Sequence, residues 1–264
     1  MWALLKKYFS KLYYFPYLAR EEAEANQLFI RQTEWQSIKQ FVRPGSKFLD
    51  VGCGAGYNMQ LAAKELVCNV RGIDPEPGQH GVGRMSGVYL SERISPGVSE
   101  DIPFSNGAFD IVFSSHVLEH VYDTQKTLKE MSRVLKDDGI LIIGMPTAAM
   151  AIILLFTQLL FMFPARVFNM FFSEMTGAKK TTLKELFLPK SHSHPGKSVF
   201  FDMRYYRISN WRKMLEKYFQ VHEIRLPLMC PYPELRQIFK PFKSSYFSSS
   251  VFFICTKPGQ ELIY

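Results

Sequence analysis

Cysteine is scarce in this chain. Four occur in 264 residues, Cys53, Cys68, Cys230 and Cys255, and no two form a C-x-x-C pair. That spacing excludes a zinc ribbon and a small disulfide framework, and predicts buried free thiols in a reducing compartment. Internal repeats and low-complexity tracts are absent. Acids are outnumbered, 24 Asp and Glu against 32 Lys and Arg, for a net charge of +8. Such a balance points to an anionic partner: nucleic acid, a membrane surface or a phosphorylated substrate. The opening run MWALLKKYFSKLYYF is broken by lysines and lacks an apolar core of signal-peptide length, so no secretory leader is expected. Long charge-free runs are missing with one exception, Thr147–Pro164, which reads TAAMAIILLFTQLLFMFP.

What is present is a chain able to fold. Apolar residues make up 47%, with 23 Phe and 13 Tyr, enough for a sizeable core in one large domain or one domain with an insertion. Trp2, Leu5, Phe9 and Leu12 recur at helical spacing among lysines, predicting a basic amphipathic helix before Pro16. A second helix is expected from Arg20 to about Val42, stopped by RPGS. Strands are then expected at 47–52, 69–74, 109–115 and 140–145, and near 221–228 and 251–256. Helices are expected at 57–66, 124–136 and 209–219, with a turn at Asp137–Gly139. Strands alternating with helices predict an α/β fold around a mostly parallel sheet.

The chemistry concentrates in LDVGCGAGY. A strand ends at Asp50, and Gly52, Gly54 and Gly56 follow at every second position. Glycines at a strand-to-helix turn let a ligand lie against bare backbone at a helix N-terminus. The third glycine comes one residue too early for a dinucleotide loop, and an acid precedes it. A carboxylate is a poor neighbour for a pyrophosphate and a good one for an ammonium or sulfonium group. Asp74 ends the next strand, where a carboxylate commonly grips ribose hydroxyls.

The blocks FLDVGCGAGY, GIDPEP, SEDIPFSNGAFDIVFSSHVLEHV and LKEMSRVLKDDGILIIGMPT resemble, in that order, those of class I S-adenosylmethionine-dependent methyltransferases. The resemblance covers residues 30–146 closely and the last helix and strands more loosely. It implies a Rossmann-like, seven-stranded, mostly parallel sheet with an antiparallel last strand, and S-adenosyl-L-methionine as cofactor. By the same resemblance Asp50, Gly52, Cys53, Gly54 and Gly56 would hold its methionine end. Asp74 would take the ribose hydroxyls, with Pro75 beside the adenine. Asp101 would accept from the adenine amino group, Ile102 would contact the ring, and Ser114 and Ser115 would face the sulfonium side. The segment between Asp74 and Asp101 departs from the family by being studded with glycines.

An oxygen acceptor benefits from a general base. His116, Glu119 and His120 in SSHVLEH follow the fourth strand, and His192 and His194 stand in SHSHPGKS. His116 is the leading base candidate, His120, Glu119 and His194 the others. No third ligand supports a metal on the H-x-H pair. The Asn/Asp-Pro-Pro-aromatic motif of many exocyclic-amine methyltransferases is replaced by SSHV, so nucleic acid is not expected as partner.

The apolar run sits directly after the fifth strand. Residues 148–163 as a helix reach roughly 24 Å, short of the ~30 Å hydrocarbon core. A single crossing would also strand the closing elements on the wrong side. The run is therefore expected as a helical insertion, a lid or a helix half embedded in one leaflet, followed by lysines at 179, 180, 184, 190 and 197. The expected organisation is N-terminal helices (1–42), a cofactor-binding core (43–146), an apolar then basic insertion (147–200) and a closing helix and strands (201–264). The reading that results is an O-methyltransferase at the inner face of a membrane, acting on a lipid-linked glycan or lipid. The alternatives are C-methylation of a prenylated quinone and a methyltransferase-like scaffold without turnover. A homodimer contact is the other use of the apolar run.

Overall fold

The structure is a computed structural model describing residues 20–79, 90–156, 159, 163–176, 180–183, 186, 191–193, 196–229 and 247–262. The basic opening helix, most of the glycine-studded stretch, His194 and Cys230 lie outside the described residues. The elements in chain order are α1 (Arg20–Ile38), β1 (Lys47–Val51), α2 (Tyr57–Leu66), β2 (Asn69–Asp74), β3 (Ile94–Pro96), β4 (Phe109–Ser115) and α3 (Thr124–Val134). They continue with β5 (Leu135–Pro146), α4 (Ala148–Phe156), α5 (Phe163–Thr176), α6 (Val199–Tyr205), α7 (Ile208–Leu215), β6 (Gln220–Arg225) and β7 (Ser250–Thr256).

All seven strands form one sheet in the order β3-β2-β1-β4-β5-β7-β6. The first five run parallel, and β7 lies antiparallel between β5 and β6. The side-chain period of two divides the strands between two cores. Leu49, Val51, Val112, Leu141, Ile143, Val251 and Phe253 face one side, where Leu128, Met131, Leu154, Val199, Trp211 and Leu215 cover them. Phe48, Ile111, Phe113, Ile140, Ile142, Phe252 and Ile254 face the other, under Trp35, Ile38, Met59 and Ala62. At the crowded centre Gly144 has no room for a side chain, since a Cβ there would lie 2.4 Å from the Phe252 ring.

Several expectations shift at their edges. Helix α1 ends at Ile38, and a 3-10 turn, Lys39–Phe41, carries the chain on. The stripe of α3 is Thr127, Leu128, Met131 and Val134, and Leu135 already opens β5. The turn expected at Asp137–Gly139 is instead an irregularity inside that strand, because pairing jumps from Phe109↔Leu135 to Ile111↔Ile140. Neither β3 nor α6 stood out in the sequence pattern. β3 is three residues long and is defined by pairing with β2, while α6 crosses the boundary expected at residue 200.

α4 covers Ala148–Phe156 and α5 covers Phe163–Thr176, with a kink at Phe172. Among the described residues, no helix is long and apolar enough to cross a membrane. α4 packs against α6 and buries Ala151 and Leu154 in the first core. Its start is pinned where β5 ends: Thr147 Oγ1 donates to the Ser248 carbonyl, and Trp211 Nε1 donates to the Pro146 carbonyl at 2.8 Å.

Candidate active site

The carboxyl ends of β1, β2 and β4 meet at one edge of the sheet, the position where open α/β sheets bind ligands. β1 runs into the glycine loop. Gly52, Gly54 and Gly56 have φ of +76°, +54° and +83°, a left-handed backbone that excludes most side chains. At Gly52 a Cβ would also lie 2.3 Å from Val117 Cγ2. The loop is tied to β2: the amides of Gly52 and Cys53 donate to the Ile73 carbonyl at 2.8 and 3.0 Å. Gly54 N donates to Asp74 Oδ2 at 2.8 Å, and Glu76 N donates to Asp74 Oδ1 at 2.9 Å. Asp74, 6% exposed, thus ties the loop to β2, with Pro75 exposed beside it.

Asp50 is 1% exposed, and its Oδ2 has no hydrogen-bond donor among the described residues. Burial, then the neighbouring Asp74 charge, push its carboxyl up to about 8, against the pull of Arg31. A buried acid with an orphaned oxygen beside a second acid is built to receive a cation. The residues therefore fit a ligand carrying an ammonium or sulfonium group at this point. Cys53 is buried here, and its thiol is held neutral by burial and by both aspartates.

The other expected cofactor residues divide. Ser114 Oγ donates to the Val51 carbonyl at 3.0 Å and is wholly buried, so it ties β4 to β1. Ser115 Oγ accepts from Arg31 Nη1 at 3.2 Å on the cleft side. Asp101 is exposed. Ile102 packs in the first core, and its backbone is held by Glu130 (2.9 Å) and Arg133 (2.8 Å), which anchors the loop carrying Asp101.

A charge network continues from here to the residues that follow the carboxyl end of β4. Arg31 and Glu34, both on α1, pair at 2.5 Å. Glu34 Oε1 lies 3.3 Å from His116 Nε2, and His116 Nδ1 lies 3.6 Å from Glu119 Oε1. Burial would raise Glu34, but Arg31 and His116 pull it down to about 2. Burial and Arg31 would discharge His116, yet Glu119 and Glu34 prevail and raise its pKa. Burial likewise would raise Glu119, and His116 lowers it. His116 is also held at φ +58°, unusual for a residue with a side chain. Both of its ring nitrogens face carboxylates. That arrangement suits a fixed imidazolium and leaves no nitrogen open to an acceptor, which argues against its role as general base.

His120 stands differently. Its side chain is 47% exposed, and its Nε2 is 4.0 Å from Glu119 Oε1. The His192 ring lies 5.5 Å from the His120 ring, brought there from 72 residues away in sequence (192 − 120). Partial burial and the nearby His120 charge lower the His192 pKa below the ordinary histidine value. Arg31, Glu34 and the approach of His192 to His120 were not legible as site features. The sequence signal for the first two is only that α1 carries a charged i, i+3 pair, Arg31 and Glu34. Among the described residues, no group of His, Cys, Asp and Glu could hold a metal. A cleft of about 840 Å³ opens at the opposite end of β4 and β5, lined by Lys129, Arg133, Lys136 and Lys257. The last three of these pair with Glu130, Asp110 and Asp137, and the cleft is remote from the glycine loop.

Comparison with known proteins bears on the same region. Residues 49–143 match a family model described as a methyltransferase domain. Ajmaline N-methyltransferase of Rauvolfia serpentina is 35% identical over 99 residues, 36% of this chain and 34% of that protein. The 2-methyl-6-phytyl-1,4-hydroquinone methyltransferase of a Synechocystis strain is 35% identical over 104 residues, 38% of this chain and 32% of that protein. The match thus spans about a third of the length of either relative. A putative S-adenosylmethionine-dependent methyltransferase from Listeria monocytogenes superposes with a TM-score of 0.51 at 19% identity, covering 87% of this chain and 98% of that one. At that identity the likeness concerns the fold.

Proposed function

We propose that the chain, whose residues 49–143 match a methyltransferase domain, is a class I S-adenosylmethionine-dependent methyltransferase that methylates a hydroxyl of a lipid-linked or membrane-associated glycan or lipid. Asp50 and the glycine loop would hold the methionine end of the cofactor, and Asp74 the ribose. When bound, S-adenosylmethionine supplies a methyl group already activated on a sulfonium. The protein has then to align the acceptor and remove its proton.

His120 is the proposed base. Its imidazole is half-exposed, with the buried carboxylate of Glu119 behind it to stabilise the imidazolium. His192, its pKa lowered by burial and by His120, favours the neutral form and so limits charge repulsion when His120 takes up the proton. His116 keeps Glu119 ionised by lying between it and Glu34. The observation that carries the reading is this Glu119–His120–His192 constellation.

Exposed apolar side chains support the greasy part of the acceptor. Among the described residues, Phe156, Phe171, Phe172, Leu183 and Phe200 are exposed large apolar side chains on the segment 147–200, with Lys180 and Lys197 exposed near them in sequence. Exposed aromatics with interspersed lysines suit an anionic lipid boundary. Wild-type protein is expected to float with anionic liposomes at low salt, and Phe171→Ser with Phe172→Ser to float less. Equal recovery in the soluble fraction for both would remove the membrane contact.

The functional test offers cofactor with a labelled methyl group and three acceptors: a polyprenyl-phosphate-linked glycan, the same glycan without lipid, and a prenylated hydroquinone. Label should enter the lipid-linked glycan as an O-methyl group. His120→Ala should lower turnover by about 10²-fold or more while leaving cofactor affinity unchanged. Label in none of the three, or full turnover in the variant, defeats the proposal. The hydroquinone is the second reading, favoured by the identity to the Synechocystis phytylhydroquinone enzyme. There the same base would deprotonate a phenol, and the product would carry its methyl on a ring carbon.

A further inference from the structure

The segment that carries His192 is fastened residue by residue to α6. Ser191 Oγ donates to Asp202 Oδ1 at 2.6 Å, and the His192 amide donates to Asp202 Oδ2 at 2.7 Å. Ser193 Oγ meets the Tyr206 hydroxyl, one helical turn beyond Asp202. Three consecutive loop residues therefore bind two side chains on one face of α6. Asp202 is wholly buried, an expensive place for a carboxylate unless donors satisfy it.

That face is in turn locked to the sheet. Tyr206 stacks on Trp211 with ring centroids 5.9 Å apart and planes at 17°. Trp211 Nε1 holds the Pro146 carbonyl at the end of β5. The His116 amide donates to the Gly144 carbonyl two residues earlier on the same strand, at 2.9 Å. Both histidine segments are thus referenced to the last residues of β5, one through the β4 turn and the other through Trp211, Tyr206 and Asp202.

We propose that Asp202 is a positioning residue that fixes His192 against His120, making residues 191–193 a built wall of the acceptor site. Its catalytic consequence rests on the role proposed for His120; the geometric claim does not. The charged and titratable groups acting on His192 are His120, Glu119, His116 and Asp202. When the latch is released, His192 leaves the first three as well as Asp202.

The test is an NMR titration of the full chain with labelled histidine, the His192 signal being assigned with His192→Gln. In the wild type His192 should titrate below an ordinary histidine, and His120→Ala should raise it. Asp202→Asn keeps the shape and removes the charge. In that variant His192 should titrate near ~6.5 and no longer respond to His120→Ala, and kcat should fall about tenfold with cofactor affinity unchanged. A His192 titration that stays depressed and still responds to His120 in Asp202→Asn overturns the proposal. If that variant does not fold, Ser191→Ala and Tyr206→Phe each remove one tie. Both should shift His192 the same way, and no shift in either is equally fatal. A wild type that methylates none of the acceptors, yet shows these titration shifts, would sink the functional reading alone.

Discussion

Replacing Asp74 with alanine is expected to weaken S-adenosylmethionine binding by about a hundredfold or more. The side chain accepts backbone amides on both sides, Gly54 at 2.8 Å and Glu76 at 2.9 Å. Hydrogen bonds to a charged group contribute about 1.5–3 kcal/mol each, and a buried amide left without its acceptor adds a desolvation cost. Alanine removes both, so the glycine loop loses its support from β2 at the position where the ribose would lie. Asparagine should do less damage, since one acceptor oxygen survives. Calorimetric titration of the purified variants measures both losses. An alanine variant that binds within about threefold of the wild type would contradict the assignment of Asp74, because it would leave loop geometry and ribose contact without energetic weight.

Cofactor affinity should rise with pH, by up to about tenfold per unit, until about pH 8. In the free protein Asp50 is raised to about 8 by burial and by Asp74, so at pH 6–7 it is mainly protonated. A cation bound against it favours the carboxylate, so binding expels a proton and tightens as protons become scarce. Above pH 8 the gain stops, because Asp50 is already ionised. The sign for stability is the opposite. The unfolded chain releases this proton near 3.8 and the folded one near 8, so the free protein loses stability from this group as pH rises across that window. Calorimetry in two buffers of different ionisation enthalpy at pH 7 should report release of close to one proton. Asp50→Asn should abolish the release and flatten the affinity profile between pH 6 and 8. Undiminished proton release in that variant would move the effect to another group.

These two residues were legible in the sequence because their roles are local. Asp50 and its three glycines are contiguous, and the backbone freedom of glycine at a strand-to-helix turn is a nearest-neighbour property. Asp74 was legible as the last residue of a strand whose apolar pattern is read within six positions. The same holds for α2, β2 and β4, whose bounds follow from short-range periodicity. β3 was not legible, since three residues carry no period and pairing with β2 defines it. The packing of the apolar run was not legible for a related reason. Its composition suits a membrane, but α4 spends Ala151 and Leu154 on the core beside Tyr206 and Trp211, which composition does not reveal.

The proposed acid–base roles differ from the sequence expectation for a different reason. From sequence, His116 was the leading base. In the fold its two nitrogens meet Glu34, 82 positions away, and Glu119, three positions away. His120 stands exposed beside Glu119, joined by His192 through the hold of Asp202 on its loop. The sequence by itself determined the α/β class, the glycine loop and the two acids that flank it, because local sterics and strand endings encode them. Only the tertiary structure decided which histidine is charged and which is open. Protonation depends on the carboxylates that distant layers bring within a few ångströms, and no spacing along the chain records that distance.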